Sequence, residues 1–182
     1  MRFPSGPALL LASLLALMGC SDGADSDLPV NTRLGGDFTL TDHNGESFRL
    51  SSLEGRVVIL FFGYTHCPDI CPAVLARVAQ VYRNLQEQGD DGAVQPVFIT
   101  FDPERDTPAH LREYLPWFKA DVIGLTGSVD QIKTVAEQYG VVFLKSDGQD
   151  ESYDFTHSDY IYLLDGQGRV RKLYPADFDI DE

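Results

Sequence analysis

Residues 57–88 read VVILFFGYTHCPDICPAVLARVAQVYRNLQEQ, and this stretch alone predicts the central architecture of the chain. The first seven residues, Val57–Gly63, form a continuous apolar run, which is typical of a strand buried inside a sheet. In residues 72–88, apolar residues recur at steps of three and four, which predicts a helix with one buried stripe. Cys67 and Cys71 lie between these two elements. Because open α/β sheets bind ligands at the carboxyl ends of their strands, the two cysteines are the first candidates for chemistry.

Strands and helices alternate along the rest of the chain, which predicts a three-layer α/β domain with a β-hairpin at its N-terminal end. Asn44-Gly45 is a typical hairpin turn. A threonine followed by proline at 107–108 and a serine at 128 are typical helix starts. The predicted strands lie at 37–40, 47–50, 94–101, 122–125, 141–145, 160–165 and 170–174, and the further helices run from 107 to about 118 and from 128 to 140.

Length, composition and charge restrict the class of protein. The chain has 182 residues, 43% of them hydrophobic, which is enough for one domain with a sizeable core and excludes a disordered chain. It carries 28 acidic and 14 basic side chains, for a net charge of -14. Nucleic acid is therefore not an expected partner, because phosphate binding requires a basic face.

The N-terminal residues have the pattern of an export signal. Arg2 precedes an apolar run at 8–18, which is too short to span a bilayer. The end of this run overlaps the segment Leu-Met-Gly-Cys at 17–20. This ending resembles the lipobox of bacterial lipoproteins, which implies cleavage before Cys20 and lipid attached to it. On this interpretation 1–19 is a signal peptide, 20–32 a lipidated tether and 33–182 the domain. We then expect an exported protein, anchored by lipid to a bacterial membrane, with its domain in the periplasm or outer cell-envelope space.

Cys67 and Cys71 are the two cysteines that remain if Cys20 is acylated. A bridge between residues four apart would close a very small loop and contribute little stability, so a purely structural disulfide is not favoured. At the start of a helix, the amides and the dipole are expected to lower the pKa of a thiol. Thiolates prefer soft ions such as Cu(I), but two sulfurs do not complete a site, so a third ligand is required.

Four histidines could supply that ligand. His43 in the hairpin turn and His110 inside a helix are expected to be solvated side chains. His66 is adjacent to Cys67, so its side chain should point away from the sulfur. His157 lies in a predicted loop before strand 160–165 and is the better candidate, although spacing alone does not separate a ligand from a solvated loop histidine.

Three segments together resemble the Sco/SenC family, thioredoxin-like copper proteins of cytochrome c oxidase assembly. They are Cys67-Pro-Asp-Ile-Cys71-Pro, the loop Asp-Pro-Glu-Arg-Asp-Thr-Pro at 102–108, and Phe-Thr-His-Ser at 155–158. The resemblance implies a thioredoxin-like three-layer sandwich with copper held by Cys67, Cys71 and His157. It also maps an acidic loop of the family onto Asp102 and Asp106, which turn and capping chemistry could equally explain.

The resemblance, together with the lipobox ending at Cys20, implies a membrane-tethered chaperone that binds one copper ion and helps load the dinuclear copper centre of an oxidase subunit. Two soft sulfurs suit Cu(I), and one imidazole makes Cu(II) tolerable. In an oxidising compartment Cys67 and Cys71 would tend to form a disulfide, so a thiol reductant protein is an expected second partner.

The alternative is an enzyme, a thiol–disulfide oxidoreductase that reduces the metal-ligand cysteines of a partner. A cysteine pair at a helix start is what thiol exchange requires, and Cys67 and Cys71 would then be the redox-active residues. Two features disfavour this alternative. Three residues separate the cysteines, where thioredoxin-like motifs have two, and no proline lies between Trp117 and Tyr174 to face the cysteines.

Overall fold

The computed structural model describes residues 28–146 and 153–180, which form a seven-stranded sheet, a separate two-stranded sheet and three α-helices. The strands are β1 (Thr39–Asp42), β2 (Ser47–Arg49), β3 (Val57–Gly63), β4 (Val94–Thr100), β5 (Ile123–Thr126), β6 (Phe143–Lys145), β7 (Phe155–His157), β8 (Ile161–Leu164) and β9 (Val170–Tyr174). The helices are α1 (Ile70–Gln88), α2 (Pro108–Tyr114) and α3 (Val129–Gln138), and short 3-10 turns occur at Leu50–Leu53, Asp91–Ala93 and Leu115–Phe118.

The large sheet has the strand order β2-β1-β5-β4-β3-β8-β9. The three central strands β3, β4 and β5 are parallel, and the flanking hairpins join them antiparallel. The predicted N-terminal hairpin is present, and it extends the sheet because Thr41 of β1 pairs with Thr126 of β5. The predicted hairpin at 160–174 forms the opposite edge.

The two faces of the sheet carry different helices, which gives the predicted three layers. Phe61 and Gly63 of β3 face α1, and the ring of Phe61 lies 5.9 Å from that of Phe98. Phe62, next in the strand, points to the opposite face, where it packs 5.8 Å from the ring of Tyr139 at the end of α3. All seven residues of β4 are buried, as expected of a strand covered on both faces.

The predicted helix starts at Thr107 and Ser128 are confirmed. The Thr107 side chain accepts the His110 N–H, and Ser128 forms a reciprocal capping box with Gln131. Helix α1 begins at Ile70, two residues earlier than the sequence pattern indicates, and this places Cys71 in its first turn.

The sequence did not predict β7. Residues 155–157 were expected to be loop, but they pair with β6 in the second sheet, and Phe143 is opposite His157. Three residues are too few to show an alternating pattern, so only the tertiary pairing defines this strand.

The chain approaches the domain along β9. The Asn31 N–H donates to the carbonyl of Val170, and the Leu28 carbonyl accepts from Arg171, so the last residues assigned to the tether contact the sheet. The predicted signal peptide 1–19 and Cys20 lie outside the described residues. Within the described part of the chain, no helix has the length and apolarity needed to cross a membrane.

Candidate metal centre

Cys67 and Cys71 lie where β3 passes into α1. Cys67 is in the turn before the helix and is 8% exposed, whereas Cys71 is fully buried. The Cys71 N–H points at the Cys67 sulfur, with 3.4 Å between nitrogen and Sγ. Both cysteines are free thiols. The turn therefore holds two sulfurs side by side at the carboxyl end of the central strand.

His157, at the end of β7, meets the two sulfurs from the second sheet. Its Nε2 lies 4.0 Å from the Cys71 Sγ, and one ligand atom from each of Cys67, Cys71 and His157 lies within 4.8 Å of the others. The other ring nitrogen, Nδ1, is 3.0 Å from the Ser158 carbonyl oxygen. Because a carbonyl only accepts, this bond assigns the hydrogen to Nδ1 and leaves the Nε2 lone pair facing the sulfurs.

An aromatic cluster positions the His157 ring. The ring centre of Phe101 is 4.8 Å away, and Tyr64 packs edge-on at 6.1 Å. Phe155, two residues before the histidine, contacts both of these rings. The cluster limits the orientations of His157 and excludes water from one side of the site.

Burial dominates the electrostatics of the inner sulfur. It raises the pKa of the Cys71 thiol well above its ordinary value, and negative charge at Cys67 and Asp106 adds to the shift. The expectation that the helix start lowers the pKa is therefore wrong for Cys71. Removing a thiolate from water costs more than the helix dipole returns.

Gly63 makes room for Cys71. A Cβ atom on this residue would lie 2.9 Å from the Cys71 sulfur and 3.0 Å from the rings of Phe61 and Phe98. The last residue of β3 must therefore lack a side chain for the first turn of α1 to approach it.

Asp102 and Asp106 are buried and hydrogen-bonded inside the fold. Asp106 accepts from the Thr65 N–H at 2.9 Å and from the Thr100 hydroxyl at 2.6 Å, which ties the 102–108 loop to the turn before Cys67. Asp102 accepts from the Tyr153 hydroxyl at 2.7 Å and pairs with Arg105. The turn-chemistry interpretation of these carboxylates fits the contacts, and Asp106 also acts on Cys71 through its charge.

The other three histidines lie apart from the sulfurs. As expected, His66 does not join the sulfurs: its Nδ1 lies 3.1 Å from the Thr65 hydroxyl oxygen, and it belongs to a different group of potential ligands from Cys67. His43 is half-buried and its Nδ1 accepts the Gly124 N–H at 3.1 Å, so it is not simply a solvated side chain. His110 is also engaged, because it forms with His66 and Asp106 a second group able to hold a metal ion. Sequence analysis missed this group because its members are adjacent only in the folded chain.

The arrangement is suited to a soft metal ion. Two sulfurs and one imidazole nitrogen converge on one point, and thiolates select Cu(I) over hard cations. The two sulfurs can alternatively form a disulfide, so metal binding and thiol oxidation compete for the same atoms. Fold and site together define an α/β protein of the thioredoxin-like class, with a Cys–Cys–His centre at the end of its central strand.

The chain belongs to the SCO1/SenC family, whose model matches residues 26–182. This confirms the family identified from the three sequence segments. The chain is 42% identical over 149 residues to a SCO2-like protein of Rickettsia felis. The aligned region covers 81% of this chain and 72% of the relative.

Solved structures agree with the fold. The structure of Arabidopsis thaliana ScoI with copper bound matches with a TM-score of 0.75 and 40% identity, over 81% of this chain and 91% of that one. A structure of BsSco matches with a TM-score of 0.67 and 25% identity, over 84% of this chain and 91% of that one. BsSco is described as a member of the Sco family of cytochrome c oxidase assembly proteins in which a disulfide switch was identified. The predicted thioredoxin-like α/β fold is confirmed.

Proposed function

We propose that this chain is a copper chaperone that binds one copper ion through Cys67, Cys71 and His157 and helps load the dinuclear copper centre of a cytochrome c oxidase subunit. The observation that carries the proposal is the convergence of the three ligand atoms within 4.8 Å. Family membership and the copper-bound relative support the choice of metal.

Loading copper displaces a proton from the site. Because burial favours the neutral Cys71 thiol in the empty site, the incoming Cu(I) replaces the proton on that sulfur as it binds. His157 needs no such step, since its Nε2 already presents a lone pair. The thiolates then hold Cu(I), and the imidazole adds affinity for Cu(II).

The unequal exposure of the ligands suggests an order for copper transfer. Cys71 is fully buried, whereas His157 is partly exposed and Cys67 lies nearer the surface. A thiolate of the accepting subunit would therefore replace His157 or Cys67 first and Cys71 last. Stepwise exchange of this kind keeps copper coordinated throughout the transfer.

The proposed setting is the bacterial cell envelope. Export, cleavage before Cys20 and lipid on Cys20 would hold the domain on the membrane, and two or more acyl chains are needed for a stable anchor. In that oxidising compartment an exported thiol reductant protein would keep Cys67 and Cys71 reduced and able to accept copper.

A second candidate function is thiol–disulfide exchange with a partner protein. It is favoured by the contact of the Cys71 N–H with the Cys67 sulfur, because this contact holds the two residues of a redox-active pair side by side. Cys67, the more exposed of the two, would attack a partner disulfide and Cys71 would resolve the mixed disulfide.

Two measurements on the same reduced chain distinguish the candidates: a Cu(I) titration with a chelator as competitor, and an insulin-reduction assay. The chaperone proposal expects one tightly bound Cu(I) per chain and little insulin reduction. His157→Ala should leave thiol exchange unchanged and weaken copper binding, most of all for Cu(II), while His43→Ala serves as the matched histidine control. Rapid insulin reduction with weak copper binding would favour the oxidoreductase instead.

A further inference from the structure

His66, Asp106 and His110 form a second cluster of potential metal ligands that shares no residue with the Cys–Cys–His centre. One ligand atom from each lies within 4.8 Å of the others. His66 follows β3, Asp106 ends the loop before α2, and His110 lies in the first turn of α2. The rings of the two histidines stack with their centres 5.5 Å apart and their planes 23° from parallel.

The Thr65 hydroxyl connects the three side chains. Its Oγ1 donates to Asp106 Oδ1 at 2.5 Å and lies 3.1 Å from His66 Nδ1 and 2.8 Å from His110 Nε2. A hydroxyl has one hydrogen, and here the carboxylate accepts it. Both imidazole nitrogens must therefore donate to the hydroxyl lone pairs, so the two nitrogens and the carboxylate oxygen converge on the Thr65 oxygen, which an incoming ion would displace from the centre of the cluster.

We propose that His66, Asp106 and His110 are a second metal site of this chain, which takes a borderline divalent cation such as Cu(II) or Zn(II). Imidazole suits both ions, a single carboxylate adds negative charge, and no sulfur is present to favour Cu(I). The preference of this site is thus the reverse of that of the Cys–Cys–His centre.

The charge of the cluster favours a cation. The Asp106 side chain is completely buried, and its hydrogen-bond donors are neutral: the Thr65 N–H, the Thr65 hydroxyl and the Thr100 hydroxyl. A buried carboxylate held by neutral donors gains strongly from a positive charge beside it. The His66 Nδ1 atom already lies 3.7 Å from Asp106 Oδ1, next to the carboxylate oxygen that would bind the cation.

Binding requires a local rearrangement. Bonds of about 2.0–2.2 Å to one ion place ligand atoms about 3.3–3.6 Å apart in tetrahedral geometry, so the widest separations here would shorten by up to ~1.5 Å and the Thr65 hydroxyl would shift off the centre of the cluster. The His66 side chain is 44% exposed and can supply this movement. Each neutral imidazole moves its hydrogen to its other ring nitrogen when the metal binds, and Asp106 Oδ1 keeps a lone pair for the Thr65 hydroxyl. No redox change is involved.

The decisive experiment removes the first centre and measures the second. In the full chain carrying Cys67→Ser, Cys71→Ser and His157→Ala, we expect one Cu(II) ion per chain, with an EPR spectrum showing nitrogen ligands. Adding His110→Ala should weaken Cu(II) binding at least ~10-fold, because the loss of a group that only positions a ligand already costs about 10–100-fold in metal affinity. Adding His43→Ala instead should leave the affinity unchanged. Equal affinities in these two variants, or no Cu(II) bound before either is added, would overturn the proposal.

A second measurement applies if the triple variant does not fold. The reduced unmodified chain should bind two Zn(II) ions, one at each centre, and the single variant His110→Ala should bind one. Circular dichroism would verify that His110→Ala is folded, which is expected because the half-buried ring lies in the short helix α2 and is not part of the core. One Zn(II) ion in both proteins would contradict the second site and leave the copper chaperone proposal untouched.

Discussion

His157 Nε2 lies 4.0 Å from Cys71 Sγ, although 86 residues separate the two along the chain. The two residues also belong to different parts of the fold. Cys71 lies in the first turn of α1 above the large sheet, whereas His157 ends a strand of the two-stranded sheet. The position of the third donor therefore depends on the pairing of β6 with β7 and on the aromatic rings beneath it. The histidine can be changed without touching the element that carries the sulfurs.

That separation makes His157→Ala an informative variant. We expect the protein to fold normally and to retain Cu(I) on the two sulfurs, but to lose Cu(II) affinity by ~100-fold or more, since losing a positioning group alone costs 10–100-fold. Chelator competition and the Cu(II) visible spectrum are the measurements. His43→Ala is the control. An unchanged Cu(II) affinity and spectrum in His157→Ala would show that His157 is not a ligand.

Gly63 should tolerate no side chain. Gly63→Ala places a Cβ atom 2.9 Å from the Cys71 sulfur and 3.0 Å from two phenylalanine rings, so either the strand or α1 must shift. Overpacking of this kind costs ~1–3 kcal/mol of the free energy of unfolding, and the displaced sulfur should also weaken copper binding. Denaturant unfolding measures the first effect. Gly92→Ala is the control, because nothing lies within 4 Å of its added Cβ atom, and equal stability of the two variants would contradict the argument.

How far the sequence predicts the fold is seen by comparing β3 with β7. Val57–Gly63 is a seven-residue apolar run with turn residues after it, so the pattern alone fixes its type and bounds. Residues 155–157 are too few to show an alternating pattern of apolar and polar side chains. The strand forms because these residues pair with Phe143–Lys145 of β6. The local sequence pattern is enough to predict a strand that is buried along its whole length. It does not predict a strand that forms only through pairing with a distant segment of the chain.

The same contrast holds for the two clusters of potential ligands. Cys67 and Cys71 are close in sequence, so their convergence follows from local geometry. The identity of the third donor came from a family resemblance, and spacing alone left it open. Thr65 and His110 are 45 residues apart and meet only because the 102–108 loop folds back on the turn after β3. No periodicity or motif within one element could have indicated that contact.

Asp165 should make stability depend on acid pH. Burial alone would raise its pKa, but hydrogen bonds from Arg169 and Arg171 lower the pKa from 3.8 to about 2. Because the folded-state pKa is the lower one, the stabilisation is fully present above the unfolded pKa and is lost as the pH falls from 3.8 toward 2. Asp165→Asn should therefore reduce the free energy of unfolding by about 2 kcal/mol at pH 7 and by much less at pH 2.

Denaturant unfolding across this pH range tests the prediction for Asp165. The exposed Asp177 provides the control, since Asp177→Asn should change the free energy of unfolding little at any pH. If the difference in the free energy of unfolding between the unmodified chain and Asp165→Asn stayed constant from pH 7 to pH 2, the carboxylate charge would not be the cause of the stabilisation.

Oxidation should switch the copper site off. Cys67 and Cys71 are free, their sulfurs are among the three ligand atoms within 4.8 Å of one another, and the Cys71 N–H already points at the Cys67 sulfur. A disulfide between them consumes both soft donors, so the oxidised chain should bind Cu(I) at least ~100-fold more weakly than the reduced chain. For the same reason, stoichiometric Cu(I) added to the reduced chain should slow its oxidation by air.

A thiol count combined with chelator competition on both forms makes the comparison, and the count should fall by two on oxidation. The control is the double variant Cys67→Ser, Cys71→Ser, whose weak residual copper binding should not respond to oxidant. The proposed cation at His66, Asp106 and His110 has no sulfur ligand, so binding there should survive oxidation in the unmodified chain. If the oxidised and reduced chains bound Cu(I) with equal affinity, the two cysteines would not be the ligands, and the chaperone function proposed for them would fail.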